Sequence, residues 1–95
     1  MDILIIEDDV SILRGLKDNL IFEGYQVHIS TDGQEGLQLA LEKHIDLLLL
    51  DIILTGMNGY EICRRLKKEK PQMPIIMITA ARRKQARCVF REGIK

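Results

Sequence analysis

Ile45-Asp46-Leu47-Leu48-Leu49-Leu50-Asp51-Ile52-Ile53-Leu54-Thr55-Gly56-Met57-Asn58-Gly59 is the stretch that decides the fold. An almost unbroken apolar run leads into a carboxylate, and a glycine-bearing turn follows. A strand buried on both faces, as in a parallel sheet, reads this way; a strand with one wet face alternates. Asp51 then stands at the carboxyl end of its strand, the edge of an open α/β sheet where ligands bind. Aspartate also opens turns and caps helices, so this strand alone leaves both roles open.

Working outward, short apolar segments recur at residues 3–6, 25–29, 45–50 and 75–78, with helically spaced stretches between them. That alternation predicts an α/β domain built on a parallel sheet. The first helix is expected to start at Asp8 or Asp9, to turn Val10, Leu13, Leu16, Leu20 and Ile21 inward, and to stop at Gly24. The second opens on Asp32 with Glu35 three residues on, a capping-box pattern, and faces the sheet with Leu37, Ala40 and Leu41. The third starts near Asn58, carries Ile62 and Leu66 inward, and ends before Pro71 on the basic run Arg64, Arg65, Lys67, Lys68. A fourth helix is expected over residues 82–92, with Ala86, Val89 and Phe90 as its inner face and Gly93 as its stop.

Ninety-five residues make one domain, 1–95, with a modest core. Fourteen bases balance fourteen acids, so no overall field recruits nucleic acid or an anionic membrane. No apolar run has the length of a membrane span. Met1 leads directly into a strand-like run rather than a signal peptide, which predicts a cytoplasmic location. Cys63 and Cys88 lack metal or redox spacing and read as small buried hydrophobes in a reducing compartment. His28 and His44 have no ligand-like neighbours in sequence and read as strand or surface positions.

The acids carry the chemistry. Glu7, Asp8 and Asp9 follow the first strand directly, and parallel strands all exit at one edge, so these acids face Asp51 if their strands are neighbours. Like charges so close need compensation, and hard oxygen ligands favour magnesium (or manganese), with waters completing the octahedron. Helix capping accounts for Asp9 but not for Glu7. At the end of the fourth strand Thr79 adds a hydroxyl, and Ala80 leaves room beside the acids. Such a pocket suits a phosphoryl group. Asp51 is the candidate nucleophile, forming an aspartyl phosphate, while a cation neutralises charge and a hydroxyl or amide binds an equatorial oxygen.

With Ile5-Ile6-Glu7-Asp8-Asp9, Leu49-Leu50-Asp51-Ile52-Ile53-Leu54, Gly56-Met57-Asn58-Gly59 and Ile78-Thr79-Ala80 at these spacings, the chain resembles a receiver domain of two-component response regulators over its whole length. The resemblance implies a flavodoxin-like sheet with strand order 2-1-3-4 in this chain. It implies that Asp51 takes a phosphoryl group from the phosphohistidine of a sensor histidine kinase. Magnesium would be held by Glu7, Asp8, Asp51 and the backbone carbonyl of Ile53. Thr79 would contact the phosphoryl group and carry the switch, and Ala80 would contact it through its backbone. The expected function is a phosphoaccepting signalling switch that catalyses only its own phosphorylation and dephosphorylation.

Three departures accompany the resemblance. Thr55 stands where the family has proline. The bases Arg82, Arg83, Lys84, Arg87 and Arg91 crowd the expected fourth helix, which reads as a solvated face or a basic docking surface. The chain reaches Lys95 without the fifth strand, its lysine, or the fifth helix, so the domain reads as C-terminally incomplete. An uncovered fourth-strand edge and an uncovered sheet face follow, and self-association through that edge is expected. The competing reading is a receiver-like interaction or dimerisation module without productive switching. A phosphatase of the haloacid dehalogenase type ranks last, since its general acid two residues after the nucleophile would be Ile53, which cannot donate a proton.

Overall fold

The computed structural model describes residues 1–54 and 57–78 with their side chains, and 87–90 as backbone. Strands β1 (Asp2–Ile6), β2 (Gln26–Ser30), β3 (Leu47–Asp51) and β4 (Ile75–Ile78) alternate with helices α1 (Val10–Phe22), α2 (Gly33–Glu42) and α3 (Gly59–Glu69), and β5 (Arg87–Phe90) follows. The parallel part of the sheet runs β2-β1-β3-β4, the predicted order. The chain moves from β1 to β2 on one side, then returns to place β3 on the other side of β1. The strand order therefore reverses between β1 and β3, where a crevice opens at the carboxyl ends.

β1 is central, and Ile3, Leu4, Ile5 and Ile6 are all buried. Successive residues of a strand point to opposite faces. Ile3 and Ile5 pack with Leu13 of α1 on one face. Leu4 and Ile6 join Leu48, Leu50 and Met77 beneath Leu37, Ala40, Ile62 and Leu66 of α2 and α3 on the other. Each such aliphatic side chain contributes about 1.5–3 kcal/mol by leaving water.

The caps fall where the sequence places them. The Asp9 carboxylate accepts from the amides of Ser11 (2.9 Å) and Ile12 (3.2 Å), Asp32 from that of Glu35 (2.9 Å), and Asn58 from that of Tyr60 (2.7 Å). Each side-chain oxygen satisfies helix N–H groups that have no partner inside the helix. Gly24 ends α1 with φ of 100°, a left-handed conformation that glycine adopts without a Cβ clash.

Two expectations are corrected. Val10 and Ile21 do not face the core; they are 54 % and 50 % exposed. Helical side chains tilt toward the N-terminus, so first-turn Val10 hangs past the sheet, and Ile21 falls one step off the stripe of Leu13, Leu16 and Leu20. The second correction concerns the fourth helix. Arg87–Phe90 is a strand, paired antiparallel with β4 in the register Ile75↔Phe90 to Ile78↔Arg87. An open β4 edge would present unpaired N–H and C=O groups, and Cys88-Val89-Phe90 has the β-branched and aromatic character that suits a strand. The fourth-strand edge is thus occupied, and self-association through an uncovered edge there loses its premise.

The remaining residues of the expected helix, Gly93, Lys95, Thr55, Gly56, Thr79, Ala80 and Ala81 lie outside the described residues. On the α1 side Leu47 and Leu49 are half-buried and pack against the Ile3, Ile5 and Leu13 cluster. Among the described residues, no helix is long and apolar enough to cross a membrane.

Candidate functional site

Glu7 extends β1 by one step: its amide donates to the carbonyl of Ser30 at 3.1 Å. This continuation carries its side chain inside the fold, where it is fully buried. One carboxylate oxygen, Oε2, accepts from the amide of Asp9 at 3.0 Å. The other, Oε1, is buried with no hydrogen-bond partner. Leaving a buried acceptor unsatisfied costs about 1–3 kcal/mol, more for a charged group. Asp8 follows, half-buried, and Asp9 turns away to cap α1.

Asp51 closes β3 opposite Ile78 of β4. It is 3 % exposed, and its Oδ1 accepts from the amide of Ile53 at 3.3 Å. That bond holds Ile53 beside the acid, with its own side chain 66 % exposed. The loop is fixed from both sides, since the amide of Ile52 donates to the carbonyl of Ile78 (3.1 Å) and the amide of Gly59 to that of Ile52 (2.9 Å).

Glu7, Asp8 and Asp51 each offer a carboxylate oxygen, and these oxygens lie within 4.8 Å of one another. Burial is the main cause that pushes the Glu7 carboxyl up to about 7; the Asp9 amide opposes the rise, while Asp51 and then Asp8 add to it. A group so placed favours either a proton or a cation. An orphaned buried oxygen and three hard oxygen donors fit a small divalent ion, so the residues present suit magnesium. Of the predicted set, the structure brings Glu7, Asp8 and Asp51 together, and Ile53 meets Asp51 through its amide; Thr79 and Ala80 lie outside the described residues, just past Ile78.

One positioning element escaped the sequence reading. A Cβ at Gly59 would lie 2.5 Å from the Asp51 carbonyl oxygen and 2.7 Å from the Ile52 Cα. Only glycine lets α3 begin this close to the acid. The Asn58-Gly59 pair was the available signal, and it reads equally well as a plain helix start. The histidines take the expected positions, His28 in β2 and His44 at the surface, and each also meets an acid. At the opposite end of the sheet, His28 Nε2 lies 3.3 Å from Asp2 Oδ1 and His44 Nε2 lies 3.0 Å from Asp46 Oδ1. Asp46 Oδ2 also accepts from the Asp2 amide at 2.8 Å. That amide, helped by His44, holds the Asp46 carboxyl below its ordinary range. Cys63 is buried in the core as expected.

The chain is similar to known proteins in sequence and fold. The family model of the response regulator receiver domain matches residues 3–94. The uncharacterized transcriptional regulatory protein YkoG of Bacillus subtilis is 47 % identical over 78 residues, covering 82 % of this chain and 34 % of the relative. The response regulator ArlR of Staphylococcus aureus is 45 % identical over 78 residues, covering 82 % and 35 %. The chain therefore spans about a third of the length of the curated relatives it matches. Among solved structures, a CheY-like receiver domain protein from Methanospirillum hungatei superposes with a TM-score of 0.80 at 41 % identity, covering 82 % of this chain and 62 % of that one. The response regulator TrrA from Thermotoga maritima, solved in complex with Mg2+ and BeF, gives 0.80 at 34 % identity, covering 83 % and 69 %.

Proposed function

The chain belongs to the response regulator receiver domain family, and from that premise we propose that it is a cytoplasmic phosphoaccepting switch in which Asp51 takes a phosphoryl group from a sensor histidine kinase. The observation that carries this reading is the cluster of buried Glu7 and Asp51 with half-buried Asp8, one Glu7 oxygen unpartnered, at the crevice where the strand order reverses. An Asp51 carboxylate oxygen attacks phosphorus; the P–O bond to Asp51 forms as the P–N bond of phosphohistidine breaks, and the imidazole leaves. The Ile53 amide orients the nucleophile by its bond to Oδ1, and Gly59 keeps the loop close. Glu7, Asp8, Asp51 and the Ile53 carbonyl would hold magnesium, which would supply charge neutralisation for the transferred group. Thr79 and the Ala80 backbone contact the phosphoryl oxygens and relay the change. The chain performs this chemistry on itself and turns over no metabolite.

Incubation with magnesium and acetyl phosphate, followed by intact mass measurement, tests the reading. A single phosphate adduct is expected in the wild type and none in Asp51→Asn; equal labelling of both sinks the assignment. A second reading, an interaction module without productive phosphorylation, is favoured by one observation. An antiparallel β5 occupies the β4 edge, where the resemblance implies a parallel strand bearing lysine. Magnesium binding with no adduct in the wild type would move the assignment there.

A further inference from the structure

The net charge of zero hides a division. Residues 1–51 hold eleven of the fourteen acids and only three bases, Arg14, Lys17 and Lys43; residues 52–95 hold eleven bases and only three acids, Glu61, Glu69 and Glu92. The halves carry formal charges of −8 and +8. Among the described residues, β1 and β3 carry Asp2 and Asp51, and the neighbouring β4 carries no charge.

On one sheet face the division is visible helix against helix. α2 and α3 pack side by side over the same core. α2 contains no base and exposes Glu35 and Glu42. α3 exposes Arg64, Arg65, Lys67 and Lys68 against two acids, Glu61 and Glu69. A shallow groove of about 210 Å³ runs along α3 between Tyr60, Cys63, Arg64 and Lys67. Tyr60, 49 % exposed at its mouth, supplies the rigid, part-apolar surface that anchors interfaces.

We propose that this face is a self-complementary docking surface for a second copy of the chain, with α2 of each copy seated against α3 of the other about a two-fold axis. An isologous contact of this kind is made twice and closes on itself. The acidic helix of one copy supplies the counter-charge for the basic helix of the other, with carboxylates entering the groove between Arg64 and Lys67. A nucleic acid fits less well. Its phosphates would meet exposed Glu35 and Glu42 of α2 and the carboxylate crevice of the same small domain, and the zero net charge gives no long-range pull. The contact needs neither the bound metal nor the chemistry of Asp51.

Sedimentation velocity across a concentration series, at about 0.05 M and about 0.5 M salt, reads the association directly. The wild type is expected to dimerise, with a dissociation constant at least about tenfold weaker at the higher salt, because exposed charges are screened. Two variants make the test reciprocal. R64E/K67E/K68E leaves both helices acidic, and E35K/E42K leaves both basic. Each alone is expected to be monomeric while still unfolding cooperatively, and an equimolar mixture is expected to restore a one-to-one dimer. A monomeric wild type at low salt overturns the proposal, as does a dimer that survives both variants. A monomer that binds a DNA duplex through Arg64, Lys67 and Lys68 overturns it in favour of a nucleic-acid partner.

Discussion

Glu7 and Asp46 sit at opposite ends of the same pair of strands and have opposite fates. Glu7, just past β1, is fully buried and leaves one oxygen unpartnered, and burial raises its carboxyl to about 7. Asp46, just before β3, is half-exposed, with one oxygen on the Asp2 amide and the other beside His44, and its carboxyl is held low. Both are short acidic side chains beside apolar strands. A carboxylate that serves the fold is placed where its hydrogen bonds are complete. One placed without them, in the crevice of the sheet, is held ready for a ligand.

The comparison can be broken at either end. The largest effect is expected from Glu7→Gln, which removes a charged ligand and relieves the crowding of carboxylates. Calorimetric titration should show magnesium affinity lower by about 10- to 100-fold, while the metal-free protein gains roughly 5 °C in thermal midpoint. Next comes Gly59→Ala. Its Cβ meets backbone rather than a flexible side chain, so denaturant unfolding should show a loss of about 1–3 kcal/mol, with slower phosphoryl uptake because the Asp51 loop is displaced. The smallest effect is expected from Asp46→Asn: magnesium affinity unchanged, and a modest fall in midpoint that vanishes below the ordinary aspartate range, where Asp46 no longer contributes.

Much of this was legible in the sequence, for identifiable reasons. Caps depend on residues two or three apart, so Asp9, Asp32 and Asn58 could be read directly. The parallel sheet followed from apolar runs separated by helical spacing, and its strand order from the family resemblance. Residues 87–90 defeated the reading because Cys88-Val89-Phe90 fits either a short helix face or a strand, and the open edge of β4 decides between them. The trio of acids was foreseeable from the strand exits, given that β1 and β3 are neighbours. The unpartnered Glu7 oxygen was not, because it depends on burial by the neighbouring strands. Nor was the His28–Asp2 pair, which rests on sheet register across twenty-six positions; His44 and Asp46, two residues apart, carried a signal that was passed over.

The most direct test of the orphaned Glu7 is the thermal midpoint of the wild type, with and without saturating magnesium, as a function of pH. Without metal, the folded protein keeps a proton on Glu7 that the unfolded chain has released. Stability should therefore be greatest below the ordinary glutamate value of 4.5 and fall as pH rises to about 7. Magnesium displaces that proton, so its stabilising shift should be large at about pH 8 and small at about pH 5.5. A shift of equal size at both values, or none at either, would contradict the account of the crevice as a cation site built around Glu7.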